Sequence, residues 1–277
     1  MEFGMRGHDL RSDNIETLAQ QCDLQNVRSL QLALAKSIQN FGPGLFTPSY
    51  ARRMKAQLEQ KGISVPVLGC YINPSETDPV QLEKNLSYFK ENLKYARFLG
   101  ADLVGLETCH YSKTGNVAEN NTEIAYQHLL KNLRELVAEA EKLGVMIGIE
   151  AVHNYVVGTP QKMRRLLDDL ASPNVCVILD PVNLFSFQNY QDQDAIMDEA
   201  FRLLHNEIAV LHFKDFQLTS SSLYHTAPLE GHLHRDVLYR LIHKYKPHLP
   251  VIFEYAKAEN FETIVQTIQK EYQLAIQ

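Results

Sequence analysis

Short apolar runs and longer amphipathic stretches alternate along this chain from one end to the other. The strand-like runs are Phe3 to Met5, Ser29 to Ala33, Val65 to Tyr71, Ala101 to Leu106, Val145 to Glu150, Val175 to Leu179, Ile208 to Leu211 and Val251 to Phe253. Between them the periodicity turns helical: Leu129, Leu130, Leu133, Leu136 and Val137 recur at spacings of three and four within Ile124 to Leu143. Comparable stretches run Pro79 to Leu99, Pro160 to Leu170, Ala195 to Leu204, Arg235 to Tyr245 and Phe261 to Tyr272. Gly100 and Gly144 stand just past two of these, where a left-handed cap ends a helix.

Later strands, such as Val-Met-Ile-Gly-Ile ending at Ile149, are apolar at nearly every position, which suits a parallel strand buried on both faces. Eight such units form either a closed barrel or an open doubly wound sheet, and periodicity alone does not choose. The length of 277 residues suits one α/β barrel, which needs roughly 250. With no linker-like shift in composition, the chain reads as a single domain over residues 1–277, of (β/α)8 TIM-barrel type.

Composition narrows the function. The net charge of −6 lacks the basic footprint of a protein that clamps a phosphate backbone, so no nucleic-acid partner is expected. No stretch approaches a membrane span, Met1 to Leu10 is no signal peptide, and the four scattered cysteines outline neither a zinc knuckle nor a disulfide framework. A cytoplasmic protein without a membrane partner follows as the expectation, and a homo-oligomer is compatible with it.

Four groups that can ligate a metal stand immediately after apolar runs: Glu150, Asp180, His212 and Glu254. Successive members are about one strand, helix and return loop apart, so a barrel brings all four to one mouth. One acidic residue after a strand is usually a helix cap or a solvated loop residue. Three carboxylates gathered at one register are electrostatically costly without a cation. Oxygen donors with one imidazole and no thiolate favour Mn²⁺, Mg²⁺ or Co²⁺, with Zn²⁺ also able to bind.

Weaker candidates for substrate contact share that mouth: Arg6 and His8, with Asp9, after the first strand; Glu107 and His110 after the fourth; His153 and Asn154 after the fifth; and Asn183. Lys214 stands two residues beyond His212, so an extended strand points both to the same side. Tyr71 and Asn73 are further candidates for the pocket wall. Capping or ion pairing accounts equally for Arg6, His8, Asp9 and Lys214.

The motifs Ile149-Glu150-Ala151, Leu179-Asp180-Pro181-Val182-Asn183, Leu211-His212-Phe213-Lys214-Asp215 and Phe253-Glu254-Tyr255, with Ala227-Pro228-Leu229-Glu230-Gly231, resemble the xylose-isomerase-like barrel superfamily. That group includes sugar-phosphate isomerases and D-tagatose 3-epimerase-like enzymes, inosose dehydratase and hydroxypyruvate isomerase. The resemblance covers nearly the whole chain. It implies one divalent metal on Glu150, Asp180, His212 and Glu254, with Glu150 and Glu254 also moving protons on a small carbohydrate-like substrate. The alternatives it leaves open are a lyase of the inosose-dehydratase type, an apurinic-site endonuclease and a non-catalytic sugar-binding barrel. The endonuclease branch uses a histidine-rich multi-zinc site that this sequence does not match.

The segment from Gln217 to His234 shows no clear helical or strand periodicity. A connection of that length reads as a lid over the mouth.

Overall fold

In the computed structural model, which describes residues 1–10, 12–42 and 44–277, eight parallel strands close into a barrel. They are β1 (Glu2–Arg6), β2 (Ser29–Leu32), β3 (Ser64–Gly69), β4 (Ala101–Glu107), β5 (Met146–Glu150), β6 (Val175–Leu179), β7 (Ile208–Phe213) and the last barrel strand (Pro250–Phe253). Between β7 and that last strand lies a two-stranded antiparallel ribbon, β8 (Asp215–Leu218) and β9 (Leu223–Thr226), so the last barrel strand is β10. Each barrel strand pairs with the next in sequence, and β10 closes on β1. The (β/α)8 expectation therefore holds, and each strand run lies within two residues of its expected bounds.

Local chemistry explains the helices between strands. Thr47, Asp78, Thr122 and Thr159 each accept a hydrogen bond from the first turn that follows, and proline occupies the opening of three of those helices. Gly100 and Gly144 end two of them with φ of 81° and 62°, the left-handed cap for which glycine carries least strain. Two helices of ten residues or more lacked an assignment from sequence: Ile15–Leu24, and Pro48–Glu59, which buries only Ala51, Met54 and Leu58 among charged and amide side chains.

The barrel interior is a separate small core of Val67, Leu103, Cys176, Ile178, Val210 and Ile252. Gly105 and Gly148 belong to the same interior: a methyl group on Gly148 would stand 2.8 Å from Leu103 Cδ1, and one on Gly105 2.8 Å from Ile178 Cδ1. Because side chains alternate across a strand, the next inward position lies two residues on. Gly105 leads to Glu107, Gly148 to Glu150, Ile178 to Asp180, Val210 to His212 and then Lys214, and Ile252 to Glu254. The apolar plug thus gives way to ionisable groups at the carboxyl end of the barrel.

The segment from Gln217 to His234 is more regular than expected, since part of it forms the ribbon, with Gln217 opposite Tyr224 and Phe216 opposite His225. The turn is the polar run Thr219 to Ser222, closed by Thr219 N–H donating to the Ser222 carbonyl. Buried Asp215 anchors the return: its Oδ1 accepts from Leu233 N at 2.8 Å, and Arg235 lies 3.4 Å from its Oδ2. Gly231 passes so close that a Cβ there would lie 2.0 Å from the Phe216 carbonyl oxygen.

Candidate metal and substrate site

Glu150, Asp180 and His212 are all buried, and each offers a ligand atom within 4.8 Å of the others. His212 Nδ1 lies 3.4 Å from a carboxylate oxygen of Glu150 and 3.4 Å from one of Glu254. Among the described residues neither ring nitrogen has a hydrogen-bond partner, although the side chain is wholly buried. An orphaned buried imidazole is costly unless something in the site meets it. Two hard carboxylate donors and one imidazole in such a cluster fit a divalent cation. Glu254 stands outside the tightest triad but touches the same histidine.

Lys214 is the internal counter-charge. Its ammonium donates to Asn183 Oδ1 at 2.7 Å and to Glu254 Oε2 at 2.9 Å. It also lies 2.8 Å from Asp180 Oδ2, an ion pair too oblique to satisfy that oxygen as a hydrogen bond. Asn183 ties the cluster together, donating its amide to Glu150 Oε1 at 2.6 Å and its backbone N–H to Asp180 Oδ1 at 3.1 Å. Arg6 forms a fork with Asp9, at 2.9 and 3.0 Å, and lies 3.4 Å from Glu254 Oε2.

These environments separate the charges. Burial opposes the ionised form of Glu254, yet Lys214, His212 and Arg6 together hold its carboxyl well below the usual range. Burial, only partly countered by Lys214, lifts Asp180 to about 6. Burial followed by the nearby Glu150 charge lifts Glu107 to about 7. Burial disfavours His212⁺, but Glu150 and Glu254 outweigh it and raise the imidazole to about 9.

A cavity of about 280 Å³ opens beside these groups, and of the candidates for substrate contact Arg6, His8, Glu107, Asn183 and Lys214 line it. Tyr71 lines it as well. His110 and His153 do not: His110 Nδ1 pairs with Asn120 Nδ2 at 2.7 Å, and its ring packs edge-on to Tyr155. The backbone N–H of His153 donates to the Asn183 carbonyl at 2.7 Å, so that residue braces the loop.

Sequence reasoning passed over Gln31, Lys36, Tyr155, His225 and Tyr255, all of which line the cavity. Tyr255 follows Glu254 directly with φ of 60°, a left-handed conformation that strains a bulky residue. Its ring lies beneath the Arg6 guanidinium at 4.6 Å and edge-on to His225.

Known proteins share this architecture. A family model described as xylose isomerase-like TIM barrel matches residues 8–272. The chain is 25% identical over 189 residues to a probable L-ribulose-5-phosphate 3-epimerase of Mycoplasma pneumoniae, covering 68% of this chain and 57% of that one. It is 24% identical over 136 residues to a D-psicose 3-epimerase of Enterocloster bolteae, covering 48% and 45%. The matches thus span about half the length of these relatives. Among solved structures, a xylose isomerase domain protein from Planctomyces limnophilus aligns with a TM-score of 0.75 at 13% identity, over 99% of this chain and 97% of that one. D-psicose 3-epimerase from Clostridium cellulolyticum aligns with a TM-score of 0.69 at 16% identity, over 100% and 97%. Those structural likenesses speak for the fold, and the family match, over nearly the full length, establishes that this chain belongs to the xylose isomerase-like TIM barrel family.

Proposed function

We propose that the protein is a divalent-metal-dependent isomerase or epimerase of a small sugar, sugar phosphate or related ketone. The observation that carries this reading is the gathering of buried Glu150, Asp180 and His212 at the barrel mouth, with both imidazole nitrogens unpartnered. Glu150, Asp180, His212 and Glu254 would hold the ion, with Mn²⁺, Mg²⁺ or Co²⁺ favoured over Zn²⁺. When bound, the cation supplies Lewis acidity that spreads the negative charge of an enediolate. The named relatives, an L-ribulose-5-phosphate and a D-psicose 3-epimerase, support the same class of chemistry.

The chain's own groups supply the rest. Glu150 on β5 and Glu254 after β10 flank the strands that carry Asp180 and His212, so their carboxylates approach a bound substrate from different sides. One takes the proton from the carbon next to the carbonyl, and the other returns a proton to the opposite face, which inverts that carbon. Lys214 and Arg6 keep Glu254 ionised, while Asn183 orients Glu150. His225 and Tyr255 narrow the mouth.

A dehydratase reading has one observation in its favour. Glu107, lifted to about 7 by burial and by Glu150, retains a proton near neutral pH that a departing hydroxyl needs. One experiment separates these outcomes: ketoses, inososes and their phosphates incubated in heavy water with each metal and followed by NMR. Metal-dependent deuterium entry next to the carbonyl, with an isomer as product, is expected. A dehydrated product establishes the lyase, and no carbon exchange from any substrate by metal-loaded protein sinks both.

A further inference from the structure

The cavity has two unlike walls. On the side of β4 to β7 and β10, every strand ends in a carboxylate or in His212, with Lys214 among them. On the side of β1 to β3 the lining residues are Arg6, His8, Gln31, Lys36 and Tyr71, with no carboxylate. Arg6 is committed to Asp9 and Glu254.

The other donors of this wall are free to meet a ligand. Among the described residues Lys36 forms no ion pair, and its ammonium lies 4.8 Å from the centre of the Tyr71 ring. It lines the same cavity as His8. Among the described residues the buried Nδ1 of His8 has no hydrogen-bond partner. The Tyr71 hydroxyl accepts from Gln31 Nε2 at 2.5 Å, which leaves its own proton to donate. Gln31 is itself almost wholly buried, so it fixes where that hydroxyl stands. An ammonium, an imidazole nitrogen and a phenolic O–H around one end of a cavity suit an acceptor-rich, negatively charged group.

We propose that this wall is a subsite for an anionic end group of the substrate, a phosphate ester or carboxylate, held by Lys36, His8 and Tyr71 away from the metal cluster. The proposal rests on the isomerase or epimerase reading and narrows its substrate class. With a cation and Lys214 balancing the carboxylates of the opposite wall, that wall is left to the ketone and hydroxyl oxygens, so the two walls set the direction in which the substrate lies.

Calorimetric binding to metal-loaded, full-length protein tests it with two matched pairs: D-ribulose with D-ribulose 5-phosphate, and D-fructose with D-fructuronate. At least one charged member is expected to bind ten or more times tighter than its neutral parent, and the preferred pair identifies phosphate or carboxylate. Lys36→Met should reduce that preference at least tenfold, Lys36→Arg should restore part of it, and added salt should weaken it. Equal or tighter binding of both neutral parents, absence of binding by all four, or a preference that survives Lys36→Met overturns the subsite. Deuterium exchange into the same ligands separates the two ideas. Exchange without charge preference keeps the isomerase and discards the subsite; charge preference without exchange keeps the subsite, and the isomerase falls only if the full panel of ketoses, inososes and their phosphates also shows no exchange.

Discussion

Replacing Lys214 with methionine isolates the electrostatic arrangement of the site. The ammonium is almost wholly buried and meets Asn183, Asp180 and Glu254 at 2.7, 2.8 and 2.9 Å. Methionine keeps much of the side chain's length and removes the charge, so Asp180 and Glu254 lose their shared counter-ion. Removing one member of a buried ion pair typically costs about 3–5 kcal/mol. For a chain of this size each kcal/mol moves the melting temperature by roughly 2–4 °C, so metal-free Lys214→Met should melt on the order of 10 °C below the native protein at pH 7.5.

The sign with pH follows from the carboxylates. Without Lys214 their folded-state affinity for protons rises above the unfolded value, so the folded variant gains protons first as the pH falls. The deficit should therefore be largest above neutrality and shrink towards pH 5. Saturating Mn²⁺ should shrink it too, because a bound cation replaces the lost charge and stabilises only the folded chain. Differential scanning calorimetry in chelator and in Mn²⁺, at pH 5.0 and 7.5, measures all four cases. A metal-free variant melting within about 2 °C of the native protein at pH 7.5 would refute the counter-ion argument.

Asn183→Ala, which removes the amide joining Glu150 to Lys214, should weaken metal binding roughly 10–100-fold without unfolding the barrel, read by metal titration beside a melting curve. Burial, then nearby cations including Arg6 for His8 and Lys214 for His225, lowers both imidazoles from 6.5 to about 4. Their unfolded forms take protons first, so stability is full above pH 6.5 and is lost as the pH falls towards 4. The loss is about 3 kcal/mol apiece before solvent screening and nearer 1 kcal/mol after it, and urea melts should show a flatter acid limb for His8→Gln; an unchanged limb contradicts the assignment. Gly231→Ala, which places a methyl group 2.0 Å from the Phe216 carbonyl, should speed amide exchange across the ribbon by at least tenfold, and normal protection would show that the return loop yields freely. A bound substrate should slow exchange in β8 and β9 if the ribbon serves as a lid, and identical rates with and without a verified substrate would argue against one.

The later barrel strands were legible because each buries both faces, which leaves an apolar signature independent of its neighbours, whereas β2 was read from a short alternating run, Ser29-Leu30-Gln31-Leu32. Ile15–Leu24 carried its own signal as well, since Ile15, Leu18, Ala19 and Cys22 form a regular buried stripe. Pro48–Glu59 carried a weaker one: Ala51, Met54 and Leu58 stand at helical spacing, but most of the other side chains are charged or amide. The ribbon was hidden for a different reason: each arm has only four residues, and Phe216 is the one apolar side chain of either arm that is wholly buried. Its one local clue was the run Thr219-Ser220-Ser221-Ser222, a polar turn between two short arms.

Within the site, the dividing line is the two-residue period. Glu107, Glu150, Asp180, His212, Lys214 and Glu254 continue the inward face of their own strands, so their convergence follows once the barrel closes. The same rule carries Gly4 to Arg6, Ser29 to Gln31 and Gly69 to Tyr71, and Gln31 was within reach of it. His110 and His153 lie in loops beyond the strand ends, where that period lapses, and neither lines the cavity. Lys36, Tyr155, His225 and Tyr255 reach it by the opposite route: a short helix, two loops and the ribbon fold back over the mouth. Their positions depend on distant packing, such as Asp215 holding Leu233 or Arg6 lying over Tyr255. The candidate metal cluster is thus written in single strands, whereas the wall facing it joins strand-borne Arg6, Gln31 and Tyr71 to groups that arrive only when separate loops meet.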